Sequence, residues 1–239
     1  MQVNTNAIVL SSVKYGDTSL IVKCYTQLNG VKSYMLRGVL KNKKGKLKAA
    51  YFQPLNQIEI TATHNNKGNL NSIKDVSVLY AYESLHMDFK KQTLVYFLSE
   101  MLSSVIREEE GNNDLFSYLT TSFQWLDLHK GIASFHIVFL LNLTKFLGFF
   151  PDANNSDSTY FDLSEGAYTE SIPFGEFLSG NELILFNSVL GTNFDKVSKI
   201  AMSGYDRNRL LEIIIKYYEL HLDGLIKPRS IQVLKEILS

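Results

Sequence analysis

Residues 19–39 read SLIVKCYTQLNGVKSYMLRGV, and this stretch decides the fold. Two runs, Ser19–Gln27 and Val31–Val39, alternate apolar and polar residues around a turn at Leu28-Asn29-Gly30. Asn-Gly is a strong short-range hairpin signal, because both residues accept the positive φ that tight turns demand. Upstream, Thr5–Val13 is an apolar, β-branched run turned by Lys14-Tyr15-Gly16-Asp17. Downstream, Leu55–Thr63 supplies a fourth strand, His64–Gly68 a polar turn and Leu70–Tyr80 a fifth strand. Five short strands with a long basic loop between the third and fourth fit a small barrel, and the OB-fold is the commonest five-stranded candidate.

From about Tyr82 the apolar period becomes helical. Met87–Arg107 places Leu94, Phe97, Leu98, Met101, Leu102 and Val105 at i, i+3, i+4 spacing, and Asp114 can cap a second helix running to about Leu128. Ile132–Leu147 lines Ile132, Phe135, His136, Phe139, Leu140, Leu143, Phe146 and Leu147 on one stripe before Gly148 and Pro151 end it. Residues 152–172 are polar, with a small hairpin expected from Thr159 to Thr169. Phe174–Leu190, Asp206–Leu222 and Ile231–Leu238 read as further helices. The fold class is α+β in two domains: a five-stranded OB-fold barrel over 1–80, then a helical domain over 81–239 with an irregular insertion at about 152–172.

The chain is electrically neutral, but its charge is divided. Residues 1–80 hold eleven Lys/Arg against Asp17, Glu59 and Asp75, leaving thirteen basic and twenty-one acidic residues for the remainder. Such a split suggests a basic module for a polyanion joined to an acidic one. No segment approaches the ~18 uninterrupted apolar residues of a membrane span, and the N-terminus lacks the basic start of a secretory signal. The protein is expected in the cytoplasm, associated with the nucleoid.

Signatures of catalysis are missing. Gly45-Lys46 would need glycine at 40 and a hydroxyl at 47 to form a phosphate loop, but Leu40 and Leu47 stand there. Cys24, the single cysteine, lies within an alternating strand and reads as structural. His136 reads as a packed core histidine, and Glu108-Glu109-Glu110 as a solvated helix end rather than a metal site. No catalytic residue, metal or cofactor is expected.

Strand alternation puts Ile21, Lys23 and Tyr25 on one face of the second strand, and Lys32, Tyr34 and Leu36 on one face of the third. A two-residue loop would bring those sets together and interleave lysines with tyrosines, the pairing that single-strand binders use; a three-residue loop would break the match. Beyond the hairpin, Lys41, Lys43, Lys44, Lys46 and Lys48 fall within eight residues and could wrap a phosphate backbone.

Short motifs follow one another as Ala7-Ile8-Val9-Leu10, Lys14-Tyr15-Gly16-Asp17-Thr18-Ser19-Leu20, Tyr25-Thr26-Gln27-Leu28-Asn29-Gly30, Leu36-Arg37-Gly38-Val39 and Phe52-Gln53-Pro54-Leu55. In the second half come Tyr96-Phe97-Leu98-Ser99-Glu100-Met101-Leu102 and Leu147-Gly148-Phe149-Phe150-Pro151-Asp152. In this order the motifs resemble the bacterial DNA repair protein RecO family. The resemblance implies an N-terminal OB-fold, a helical C-terminal domain, binding of single- and double-stranded DNA, and strand annealing. It implies action with RecR in loading RecA onto DNA coated by single-strand-binding protein (SSB). Carried onto this chain, the DNA-contacting candidates are Lys14, Lys23, Lys32, Tyr34, Arg37 and the lysines at 41, 43, 44, 46 and 48. Many family members carry a cysteine-based zinc site after the segment matched by Leu147–Asp152, whereas this chain continues Ala153-Asn154-Asn155-Ser156-Asp157 without cysteine. The resemblance also implies that the C-terminal tail of SSB docks on the helical domain, where Arg207, Arg209 and Lys216 share a helix with Ile213, Ile214 and Tyr217. The alternatives are an RNA-binding OB module with a helical partner-binding domain, and a nuclease built from scattered carboxylates.

Overall fold

Period-two alternation in the first eighty residues is realised as five strands: β1 (Gln2–Tyr15), β2 (Ser19–Thr26), β3 (Gly30–Leu36), β4 (Gln57–Thr63) and β5 (Ser72–Tyr80). They form an antiparallel sheet in the order β3-β2-β1-β4-β5 in a computed structural model that describes residues 1–41, 46–65, 70–108 and 110–238. A parallel bridge between Tyr34 and Asn71 draws the outer strand β3 toward the start of β5. Asn71 N–H donates to the Ser33 carbonyl at 3.0 Å, and Met35 N–H donates to the Asn71 carbonyl at 2.8 Å. This is the OB-like arrangement expected from the sequence.

β1 serves both neighbours because a bulge between Val9 and Ser11 shifts its register on β2. Extra residues of this kind increase local twist and re-aim side chains, which lets one long strand bend around a small barrel. One face of the sheet buries Ala7, Val9, Leu20, Val22, Cys24, Tyr34, Leu36, Ile58, Ile60 and Ala62. The opposite face of β1–β2 carries Ile8 and Tyr25, both fully buried.

The helices α1 (Phe89–Val105) and α2 (Asn113–Leu128) explain that burial. Ser103 Oγ donates to the Leu10 carbonyl at 3.2 Å, and the Tyr25 hydroxyl donates to the Asn112 carbonyl at 3.2 Å. Gly111 lies so close to the β2–β3 turn that a Cβ there would stand 2.3 Å from the Gln27 carbonyl oxygen. Although strands give way to helices near residue 80, α1 and α2 therefore group with the sheet. One compact unit comprises Met1–Leu128 with Pro228–Ser230. Asp127, at the end of α2, ties down the segment between β5 and α1. Its carboxylate accepts the N–H groups of Glu83, Ser84 and Leu85 at 3.0, 2.8 and 2.7 Å.

The second compact unit runs over His129–Lys227 and continues from Ile231. Its helix α3 (Phe135–Leu147) buries Ile137, Val138 and Leu141 as well as Phe135, His136, Phe139, Leu140 and Leu143 of the expected stripe, while Phe146 and Leu147 are half-buried, so it is apolar almost all round and central to its unit. Gly148 ends α3 at φ 83, the left-handed conformation that glycine adopts without a Cβ clash. The expected hairpin is present as β6 (Tyr160–Asp162) and β7 (Ala167–Thr169). The helix expected over 174–190 is shorter: β8 (Phe177–Ser179) pairs with β6 before α4 (Gly180–Val189) begins. Pairing to β6 settles those three residues, and no local signal marks it. The unit is completed by α5 (Gly204–His221) and α6 (Ile231–Leu238).

Candidate nucleic-acid interface

Antiparallel register gathers the exposed cations at one end of the barrel. Lys14 pairs with Leu20, and Leu20 with Leu36, so the end of β1, the start of β2 and the end of β3 lie side by side. The turns that follow are tied together: Leu40 N–H donates to the Thr18 carbonyl at 2.9 Å, and Gly38 N–H to Ser19 Oγ at 3.4 Å. Lys14, Arg37 and Lys41 are exposed on this linked pair of turns. Tyr15, which strand alternation does not single out, is also exposed there. Its position just before Gly16 was the available signal, since a residue at a hairpin tip has little to pack against.

Lys46 and Lys48 are exposed, while Leu47 between them packs toward the barrel core. Lys43 and Lys44 lie outside the described residues. Beyond them the chain makes a short 3-10 turn at Ala49–Phe52 whose carbonyls at Ala50 and Tyr51 accept Asn56 Nδ2 at 3.1 and 3.0 Å. His86 Nε2 holds Asn56 Oδ1 at 2.8 Å. Buried Leu55 sits at φ 63, a conformation costly for a branched side chain, and is kept there by its N–H bond to the Val9 carbonyl at 2.7 Å. The exit of the lysine stretch is thus anchored on the barrel. Among the described residues, none of Lys14, Arg37, Lys41, Lys46 and Lys48 pairs with a carboxylate.

The interleaved lysine–tyrosine face does not form. β2 and β3 are joined by three residues, 27–29, so Val22 faces Tyr34 and Lys23 faces Ser33. A one-residue change in loop length sends alternate side chains to opposite faces. Tyr34 is therefore inside the barrel, with its hydroxyl 2.9 Å from His64 Nε2, and burial raises its pKa. Tyr25 lies against Phe116, 6.1 Å between ring centroids, and burial pushes its pKa up to about 12. Neither ring can stack on a base. Lys23 donates to the Ser103 carbonyl at 2.6 Å; burial first, then Arg107, lowers its pKa, so it too is withdrawn from the surface. Lys32 is half-buried and engaged, its charge helping to lower the pKa of His64.

In the second unit, Arg207, Arg209 and Lys216 do not make one cluster. Arg207 is buried, donating to the carbonyls of Leu238 and Met202, whereas Arg209 pairs with Glu182 at 2.6 Å and Glu212 at 3.2 Å. Lys216 pairs with Glu176 at 3.2 Å. On a helix, residues two and nine apart from Arg207 fall near its far side, which is why one arginine is interior and the other two cations are on the surface. His136 is buried as expected. Burial, then the Arg207 charge, pushes its pKa down to about 3, which keeps it neutral. Cys24 is buried in the barrel and its thiol is pushed up to about 12 by burial, so it is no nucleophile.

The residues present do not fit the zinc site that the resemblance implies. The segment after Asp152 offers no thiolate. Asp152 accepts Asn154 N–H at 3.0 Å, and Asp162 accepts Ser164 N–H at 2.8 Å, so these carboxylates close their own turns. The hairpin instead packs through Phe161, whose ring lies 4.9 Å from Tyr168, 4.9 Å from Phe186 and 6.2 Å from Tyr217.

Comparison with known proteins agrees with this architecture. The N-terminal model of recombination protein O matches residues 1–82, and the C-terminal model matches residues 86–230. The chain belongs to the RecO family. Family members to which it is similar include the DNA repair protein RecO of Christiangramia forsetii, 46% identical over 99% of both chains. The RecO of Flavobacterium psychrophilum is 44% identical over the full length of both. That of Phocaeicola vulgatus is 36% identical over 98% of both.

Proposed function

We propose that this protein is a DNA-binding recombination mediator. In this reading it binds single- and double-stranded DNA, anneals complementary single strands and, with RecR, helps load RecA onto strands coated by SSB. The observation that carries it is the set of exposed cations that have no carboxylate partner among the described residues, Lys14, Arg37, Lys41, Lys46 and Lys48, on an OB-like barrel of a RecO-family chain. Annealing needs charge neutralisation more than bond chemistry. Two polyanionic strands repel, and a basic surface that holds both lowers the barrier without a catalytic group. Family membership supports the partners RecR and SSB, although Arg207 is too buried to belong to a docking site for the SSB tail.

The test is annealing of complementary single strands, bare and SSB-coated, with and without RecR, by the wild type and by a variant with Lys14, Arg37, Lys41, Lys46 and Lys48 changed to alanine. The wild type should accelerate annealing, and RecR should promote RecA loading. The variant should bind more weakly for every sequence, with a log–log salt slope shallower by about 0.7 for each lost phosphate contact on single strands. Preference for RNA over a matched DNA strand, or wild-type behaviour of the variant, overturns the reading.

A further inference from the structure

Single-strand binders combine cations along the phosphates with an exposed ring on which a base can stack. Residues 1–80 contain six aromatic side chains, Tyr15, Tyr25, Tyr34, Tyr51, Phe52 and Tyr80. Tyr25, Tyr34 and Phe52 are buried, and Tyr51 and Tyr80 are half-buried, Tyr80 lying edge-on to Tyr82 at 5.2 Å. Tyr15 alone among them is exposed, at 58%. The face of the β2–β3 hairpin opposite the core is occupied by α1 and α2, which removes the usual sheet platform.

Tyr15 stands where the cations converge. It pairs with Ser19 at the last rung of the β1–β2 hairpin, next to the Lys14–Leu20 rung. Gly16 follows at φ 59, a left-handed turn residue that lets the hairpin close tightly. The Leu40-to-Thr18 bond of 2.9 Å fixes this tip to the turn that carries Arg37 and Lys41. Val13, two residues back and on the same face of β1, is also exposed, at 60%, so the ring sits on a small apolar ledge. An aromatic ring held on a braced hairpin tip loses little entropy on binding, which favours it as an anchor.

We infer that Tyr15 is the base-stacking residue of this protein, and that single-stranded DNA is gripped at the barrel end formed by the β1–β2 tip and the Arg37–Lys41 turn rather than across the β2–β3 face. This rests on the DNA-binding reading above and adds to it which residue meets the bases. The ring contributes to strands that carry bases and nothing to a bare sugar-phosphate chain, whereas the cations contribute to both.

The experiment measures binding of the full chain to a thymine oligonucleotide and to an abasic oligonucleotide of the same length, using wild type, Tyr15→Ala, Tyr15→Phe and a Lys14→Ala/Arg37→Ala/Lys41→Ala variant. Melting temperature serves as the folding control. Tyr15→Ala should weaken thymine-strand binding by about tenfold, leave abasic binding unchanged and keep the wild-type melting temperature; Tyr15→Phe should match the wild type. The charge variant should weaken on both strands. If Tyr15→Ala binds both strands as the wild type does, or weakens equally on both, the stacking role is overturned, while a weakened charge variant leaves the DNA-binding reading standing. If the charge variant binds like the wild type, or the wild type binds neither strand, the DNA-binding reading falls and this inference with it.

Discussion

The hydroxyl of Tyr34 lies 2.9 Å from Nε2 of His64, inside the barrel where β3 approaches the end of β4. Around this pair the chain is sewn together: Met1 donates its amino group to the His64 carbonyl at 2.9 Å, and Asn65 N–H donates to Asn71 Oδ1 at 2.9 Å. Tyr34 is thus a strut between β3 and the end of β4. Tyr34→Phe should lower stability by about 1 kcal/mol, the net worth of a typical hydrogen bond, while DNA affinity measured on folded protein stays unchanged. Loss of DNA binding by a folded Tyr34→Phe protein would contradict the assignment.

His64 makes this junction sensitive to acid. Burial, then Lys32 and the N-terminal amine, hold its pKa below 6.5. The unfolded chain therefore binds that proton more readily. The contribution to stability is whole above pH ~6.5 and is lost as pH falls below that value toward the folded pKa. Thermal melts from about pH 7 to about pH 5 should decline more steeply for the wild type than for His64→Gln.

Asp127 acts in a lower window. Burial raises its pKa, but the N–H groups of Glu83, Ser84 and Leu85 and the Ser84 hydroxyl together outweigh burial and hold it below 3.8. Its stabilisation is present above the unfolded value near 3.8 and disappears as pH falls through the folded pKa. Asp127→Ala should cost about 2–4 kcal/mol at neutral pH, since three backbone donors lose a charged acceptor. Urea titrations at neutral and acidic pH should show the gap between variant and wild type narrowing in acid.

Gly111 is a matter of space. A Cβ at this position would stand 2.3 Å from the Gln27 carbonyl oxygen and 2.9 Å from the backbone of Leu28, atoms that cannot swing aside. Gly111→Ala should therefore destabilise the protein by roughly 1–3 kcal/mol, the range for overpacking. Chemical denaturation provides the measurement.

In the second unit, Phe161 anchors the β6–β7 hairpin through its ring contacts. Phe161→Ala should cost about 3–5 kcal/mol through the cavity it leaves among Tyr168, Phe186 and Tyr217. Chelators should leave the wild-type melting temperature unchanged. Zinc copurifying in stoichiometric amount, with unfolding on chelation, would contradict this account.

Local pattern determined a great deal. Alternation and Asn29-Gly30 specify the strands of the barrel, and the period of Leu94, Phe97, Leu98 and Met101 specifies α1. The excess of lysine in residues 1–80 and the run from Lys41 to Lys48 mark a strongly basic half without any structure, because charge and period are properties of neighbours along the chain. Which face those residues occupy was decided only in three dimensions. One extra residue in the turn at 27–29 reverses the partnership of β2 with β3, and α1 and α2 cover the face that would otherwise meet a ligand. Tyr34 and Arg207 read as surface groups in sequence and are core groups in the fold, while Tyr15 reads as a turn residue and is the barrel's exposed ring. Burial depends on what packs from distant parts of the chain, and no window of sequence contains that information.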